Sequence, residues 1–200
     1  AGVRLQDRFY SLEPALIEQR LAALAAVQEV KVSTVFPDTL AIRLRSRQAV
    51  VVALVKTAEG GQLPVQIDSL GFVFAWGLPA GQENLPVLSG VEFRNFRLGM
   101  QLPHSVVPFL QDLRKLRVQS PILYRAFSEF KLQPVGAAQL EILAYTINCP
   151  VPILLNARLS EERALYTLRT IEMLDRTEGL SRIKEIDFRT NSVVYTKGVD

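Results

Sequence analysis

The chain has 200 residues, of which 48% are hydrophobic and 22% charged, and its formal net charge is +3 at pH 7. A chain of this length and composition can bury a sizeable core without disulfides or metals. Its single cysteine, Cys149, excludes an internal disulfide, and its single histidine, His104, leaves no Cys/His cluster for zinc.

The N-terminal region predicts a helix followed by a β-hairpin. The helix is expected over residues 12–26, with Ser11 as its N-cap. The hairpin has its turn at Pro37-Asp38-Thr39, where proline fixes φ and aspartate can accept a backbone hydrogen bond. In its second strand, apolar residues alternate with arginines, which predicts a half-buried strand with an arginine-lined outer face: Leu40, Ile42 and Leu44 against Arg43, Arg45 and Arg47.

From residue 48 onward the pattern indicates strands interrupted by two helices. The helices are expected over residues 105–118 and 161–176, the second with Ser160 as N-cap and Gly179 as terminator. Strands are expected over residues 49–55, 65–68, 72–76, 126–132, 139–146, 152–156, 182–189 and 192–197, and residues 85–90 are expected to form a short apolar segment that ends at Gly90. This order predicts an α+β fold in which an αββ unit, residues 1–47, precedes a larger mixed β-sheet domain, residues 48–200.

Candidate catalytic residues are few. His104 precedes a helix without an identifiable partner, and Cys149 has no second histidine to activate it, so a buried inert thiol is expected. Glu161 and Glu162 suit the start of a helix. We therefore predict no catalytic, cofactor-binding or metal-binding residues.

The sequence also disfavours a chain that spans the membrane itself and a nucleic-acid-binding protein. No run of 18 apolar residues could span a bilayer, and no signal peptide is visible. Phe93, Phe96 and Phe109, which are interleaved with Arg94 and Arg97, could form a stacking surface for single-stranded nucleic acid. No RNA-binding motif accompanies them, so we predict no nucleic-acid partner.

Several segments resemble, in the same order, the bacterial cell-division family FtsQ, called DivIB in Gram-positive bacteria. They include an aromatic-Pro-Asp turn at Phe36-Pro37-Asp38, a strand–turn–strand motif QIDSLGFVF at residues 66–74, and the leucine-proline segment LPVLSG at residues 85–90. Residues 154–158 and IDFR at 186–189 are similar to later motifs of the family. Residues 1–47 then correspond to a truncated POTRA domain and residues 48–200 to the family's β domain.

The resemblance implies a non-enzymatic scaffold on the periplasmic face of the cytoplasmic membrane, anchored by an upstream transmembrane helix that this sequence does not include. Its partners would be small bitopic proteins of the FtsB and FtsL type, and its role would be to help regulate septal peptidoglycan synthesis. In the family the partner adds a strand along the last strand of the β domain. Carried over, the partner-binding residues are Arg158, Arg189, Thr190, Ser192, Val193, Val194 and Tyr195.

Three alternatives stay open at this level. The closing hairpin could be only the end of the core sheet. A POTRA-bearing component of outer-membrane protein assembly would also use strand addition, on unfolded substrates. An enzyme such as a peptidoglycan hydrolase would need a set of catalytic residues that the sequence does not display.

Overall fold

A computed structural model describes residues 12–56, 60–81, 84–93, 95–135, 139–190 and 192–197. The predicted α+β class is confirmed. The chain begins with α1 (Pro14–Ala22), β1 (Val27–Val35) and β2 (Thr39–Ser46). The two strands form an antiparallel sheet of their own, with Val35 opposite Thr39 at the turn.

Helix α1 is shorter than the sequence predicts. Pro14 occupies its first turn, as a proline can, because the backbone N–H groups of that turn have no partner within the helix. The helix ends at Ala22, after which the N–H of Leu24 bonds the carbonyl of Leu21 in a tighter turn that leads directly into β1. The predicted N-cap, Ser11, lies outside the described residues.

The remaining described strands form one sheet of nine, in the order β11-β10-β9-β8-β7-β6-β3-β4-β5. Three neighbouring pairs are parallel, β3 with β6, β6 with β7, and β9 with β10, and the other pairs are antiparallel. The strand bounds are β3 (Ala49–Lys56), β4 (Gln62–Asp68), β5 (Val73–Trp76), β6 (Val87–Ser89), β7 (Phe127–Val135), β8 (Gln139–Thr146), β9 (Cys149–Asn156), β10 (Ile183–Asp187) and β11 (Val194–Lys197).

Three described helices accompany this sheet, one more than predicted: α2 (Val107–Gln119), α3 (Pro121–Arg125) and α4 (Glu161–Thr177). The short α3 was missed because five residues are too few to show a helical period. The capping prediction for α4 is confirmed, since the Ser160 side chain accepts a hydrogen bond from the N–H of Arg163 at 3.2 Å. Gly179 ends the helix with a φ of 76°, a conformation that favours glycine.

A single hydrophobic core joins the helices to the large sheet. The rings of Phe109 and Phe130 are fully buried and meet edge to face, with their centroids 5.0 Å apart. Phe109 is therefore a core residue and does not contribute to a stacking surface. Phe93 and Phe96 are partly buried against the same core, while Arg94 lies outside the described residues.

The predicted arginine-lined outer face of β2 is wrong at one position, Arg47. Arg43 and Arg45 are exposed, but the Arg47 side chain is only 13% exposed. Its guanidinium donates to the carbonyl of Ala25 at 3.0 Å and to the carboxylate of Asp68 at 2.6 Å, and it lies 4.0 Å from the centre of the Phe72 ring. Arg47 thus connects the N-terminal αββ unit to the β4–β5 turn of the large sheet.

Candidate partner-binding edge

The predicted partner-binding residues lie around β11, which is the last strand at one end of the nine-stranded sheet. It pairs antiparallel with β10, with Val194 opposite Asp187 and Tyr195 opposite Ile186. On its other side no described strand follows. Backbone groups on that side are available for pairing with another chain.

The hydrogen bonds of β10 show which residue of β11 faces this open side. The N–H of Phe188 bonds the carbonyl of Leu154 in β9 at 2.8 Å, so the backbone groups of Phe188 point toward β9. Those of Asp187 then point toward β11, because successive residues of a strand alternate. Its partner Val194 faces β10 in return, and the N–H and C=O of the next residue, Tyr195, face outward.

The side chains of β11 alternate in the same way. Tyr195 is half-buried and, like Val193, packs against the core, whereas the side chain of Val194 is 61% exposed. At the end of the strand the Lys197 ammonium contacts the Glu178 carboxylate at 2.8 Å. This contact lowers the pKa of Glu178 and raises that of Lys197. An outward-facing backbone next to an exposed valine is suited to accept an added strand.

Arg163 of α4 holds the connection that leads into β11. Its guanidinium donates to the carbonyls of Phe188 at 2.9 Å and Thr190 at 3.3 Å, and to the side-chain oxygen of Asn156 at 3.2 Å. Sequence reasoning missed this residue. Its position was a usable signal, because a cation in the first turn of a helix opposes the helix dipole and therefore needs another partner.

Arg189 makes ion pairs within the sheet. Its guanidinium contacts Asp187 and Glu141, each at 2.6 Å, and Glu141 belongs to β8, on the side of β10 away from β11. Hydrogen bonds from Arg189 lower the pKa of the Asp187 carboxyl, and both carboxylates raise the pKa of Arg189. The Asp187 carboxylate also accepts the backbone N–H of Arg189 at 2.8 Å, as expected for an aspartate at the end of a strand.

Arg158 is 65% exposed and is held by a carboxylate of α2. Its Nε and Nη2 atoms donate to the two oxygens of Asp112 at 2.6 and 3.1 Å, and Asp112, only 6% exposed, also accepts the N–H of Leu159. Among the described residues Arg158 bonds Asp112 rather than β11. It follows the C-terminal end of β9, which lies beside the C-terminal end of β10 because the two strands are parallel.

Thr190 and Ser192 form the approach to the edge. The Thr190 hydroxyl donates to the carbonyl of Ser192 at 2.8 Å, and its oxygen accepts a hydrogen bond from the backbone N–H of Ser192 at 3.3 Å. Asn191, which was predicted to share this turn, lies outside the described residues. The structure therefore brings Thr190, Ser192, Val193, Val194 and Tyr195 together on one segment, with Arg189 directed away from it.

The comparison with known protein families bears on the N-terminal unit. Residues 1–47 match the family model of the POTRA domain, FtsQ-type. Residues 1–47 are an FtsQ-type POTRA region. The resemblance to the FtsQ/DivIB family is confirmed for this part of the chain. No curated protein matches the chain.

The FtsQ-type POTRA match at residues 1–47 supports a POTRA protein related to cell division. Domains of this type indicate an extracytoplasmic, membrane-associated protein that takes part in protein–protein interactions. Within the described residues no helix has both the length and the apolar character needed to cross a bilayer.

The other candidate positions show no catalytic arrangement. His104 is exposed in a single 3₁₀ turn ahead of α2. Cys149 is buried, and burial raises the pKa of its thiol. In the part of the chain that the structure describes, no group of three or more His, Cys, Asp or Glu side chains could hold a metal ion. FtsQ-type POTRA proteins are in general not enzymes.

Proposed function

We propose that this protein is a non-enzymatic scaffold of the cell-division machinery that binds small bitopic proteins of the FtsB and FtsL type. The partner adds a strand to the open side of β11, on the extracytoplasmic face of the cytoplasmic membrane, and binding helps regulate septal peptidoglycan synthesis. The observation that carries this proposal is the orientation of Tyr195, whose backbone N–H and C=O face away from β10.

Strand addition at this edge has a clear energetic basis. An outward-facing residue offers one donor and one acceptor to the incoming strand, and each hydrogen bond contributes about 1 kcal/mol. The exposed side chain of Val194 adds apolar contact on one face of the new ladder. Pockets beside alternate residues of the added strand then provide the specificity.

Thr190, Ser192 and Val193 would receive one end of the added strand, since they precede β11 along the same edge. Arg158 would act as a polar anchor at this end of the sheet, because Asp112 fixes its guanidinium while most of the side chain stays exposed. Arg189 would contribute by holding Asp187, the residue opposite Val194, rather than by direct contact.

The proposal is tested by removing the outward backbone donor. Tyr195→Pro eliminates the N–H that faces the partner, whereas Tyr195→Thr loses the same ring but keeps the N–H and suits a strand. Binding to a soluble fragment of the FtsB-type protein from the same genome is measured by calorimetry. We expect the dissociation constant of Tyr195→Pro to be at least about fivefold higher than that of Tyr195→Thr, because a hydrogen bond of about 1 kcal/mol corresponds to roughly a fivefold change.

Thermal unfolding is the control for the fold, because proline is tolerated in an edge strand where its missing N–H faces solvent. Equal affinities for the two variants, with both folded, would exclude strand addition at this edge. The FtsQ type of the POTRA region favours division over outer-membrane protein assembly. Binding of unfolded outer-membrane proteins, without binding of the division partner, would support that rival instead.

A further inference from the structure

A groove far along the chain from the POTRA region lies between α3, α4 and the turn that joins β8 to β9. Its volume is about 580 Å³. Its lining is mostly apolar and contains the buried side chains of Cys149 and Ile171, together with buried Thr146. A concave apolar surface of this size is typical of a binding site.

Two large apolar side chains stand exposed on the walls of this groove. Ile122 of α3 is 81% exposed, and Ile147 in the β8–β9 turn is 66% exposed. A single exposed isoleucine is unremarkable in a protein surface, but two that flank one apolar groove form a continuous patch. The same surface therefore contains an apolar groove and exposed isoleucine side chains that could enter an equivalent groove on another molecule.

The charges on the two walls have opposite signs. Arg125 lies on the α3 wall, where its Nε donates to the carbonyl of Pro121 at 3.3 Å, and Asp175 lies on the α4 wall. Both are exposed. Among the described residues, neither side chain has an ion-pair partner. Glu172, the other carboxylate of this wall, already pairs with Arg176 at 2.5 Å.

An apolar groove with a cation on one wall and an anion on the other is complementary to itself. A two-fold axis that runs along the groove places the α3 wall of one copy against the α4 wall of the other, and contacts in such an interface occur twice. Arg125 of each copy would then face Asp175 of the other, and Ile122 of each copy would enter the opposite groove.

We propose that this groove is the interface of a two-fold homodimer. The occupant is a second copy of this chain, selected by the Arg125–Asp175 charge pairs and by burial of Ile122. The surface is separate from the β11 edge, so the proposal does not depend on strand addition there.

Sedimentation velocity of the wild-type chain over a concentration series tests the proposal. Dimer formation is expected for the wild type, and Ile122→Asp is expected to raise the dimer dissociation constant at least about tenfold. Phe36→Asp is the matched control, because Phe36 is 77% exposed but lies in the POTRA hairpin. This control should dimerise as the wild type does.

Charge reversal separates self-association from every other occupant. Arg125→Asp and Asp175→Arg each place like charges across both halves of the interface, so each variant alone should be monomeric. In an equimolar mixture the two variants carry complementary walls and should form a heterodimer.

A wild-type chain that stays monomeric at the highest concentration would overturn the proposal. So would a dimer that Ile122→Asp leaves intact, or charge-reversed variants that fail to associate on mixing. Circular dichroism of each variant must match the wild type, which is expected because all three side chains are exposed.

Discussion

The contact between Arg47 and Asp68 predicts how strongly the POTRA region is connected to the large sheet. Both side chains are largely buried, at 13% and 4% exposed, and their charged groups are 2.6 Å apart. Arg47→Met keeps most of the aliphatic side chain but leaves the Asp68 carboxylate buried without its cation. Breaking one partner of a buried pair costs about 3–5 kcal/mol.

The lower end of that range applies here. Asp68 keeps two backbone donors, the N–H groups of Leu70 and Phe72, each at 2.9 Å, and these continue to stabilise the carboxylate. The contact of the guanidinium with the Phe72 ring is lost as well, which contributes about 0.5–1 kcal/mol. We therefore expect Arg47→Met to lower the free energy of unfolding by about 3.5–4 kcal/mol.

Urea denaturation followed by tryptophan fluorescence and by circular dichroism measures this loss. In the double variant Arg47→Met/Asp68→Asn no charge is left buried, so it should recover at least about 1 kcal/mol relative to Arg47→Met. Arg43→Met, on the exposed face of the same strand, should change stability by less than about 0.5 kcal/mol. If Arg47→Met is as stable as Arg43→Met, the contact does not connect the two regions.

Three further predictions follow from single contacts. Gly90→Ala should cost at least about 2 kcal/mol in a denaturation experiment, because φ is 75° and a Cβ would collide with the carbonyl of Leu132; a stable variant would contradict this. Arg163→Gln should weaken partner binding severalfold with a small change in melting temperature, because the carbonyls of Phe188 and Thr190 lose their hydrogen bonds to the guanidinium. Unchanged affinity would refute a role of Arg163 in positioning the segment that leads into β11. Arg189 lowers the pKa of Asp187, so the ionised carboxylate stabilises the fold above its unfolded pKa, and this contribution is lost as pH falls through the folded pKa. Asp187→Asn should therefore flatten the loss of stability between about pH 5 and pH 2, and an unchanged slope would show that another carboxyl dominates.

The elements that the sequence predicted best have a strong local pattern. The hairpin of β1 and β2 has alternating apolar residues around a Pro-Asp turn, and α4 has a serine cap and a terminal glycine; both are present at nearly the predicted positions. Strand β8 has the predicted bounds, Gln139–Thr146. In α4 and β8 local conformational preference and tertiary packing favour the same structure. The predicted half-buried face of β2 is wrong, because Ile42 and Leu44 are 44% and 50% exposed.

Predictions failed where a side chain is placed by a distant contact. Arg47 continues the alternation of Arg43 and Arg45, and this alternation predicts an exposed side chain. Instead, the Arg47 side chain is largely buried because it bonds the carboxylate of Asp68, 21 positions later in the sequence. Arg163 bonds carbonyls more than 20 residues later, and the pairing of β9 with β10 depends on a crossover that no local pattern specifies. The order of strands, and with it the edge position of β11, was therefore out of reach of pattern analysis and was expected only from the family resemblance.

Helix α4 contacts the terminal hairpin at both of its ends. Arg163 in its first turn bonds the carbonyl of Thr190, and Glu178 just after its last turn bonds Lys197. Fifteen helical residues rise roughly 22 Å, so the two contacts on α4 lie about one helix length apart. The length of α4 therefore sets the distance between these two attachments. Inserting one residue into the middle of α4 would rotate its distal end by roughly 100° and break one of the two attachments without altering any residue of the segment itself.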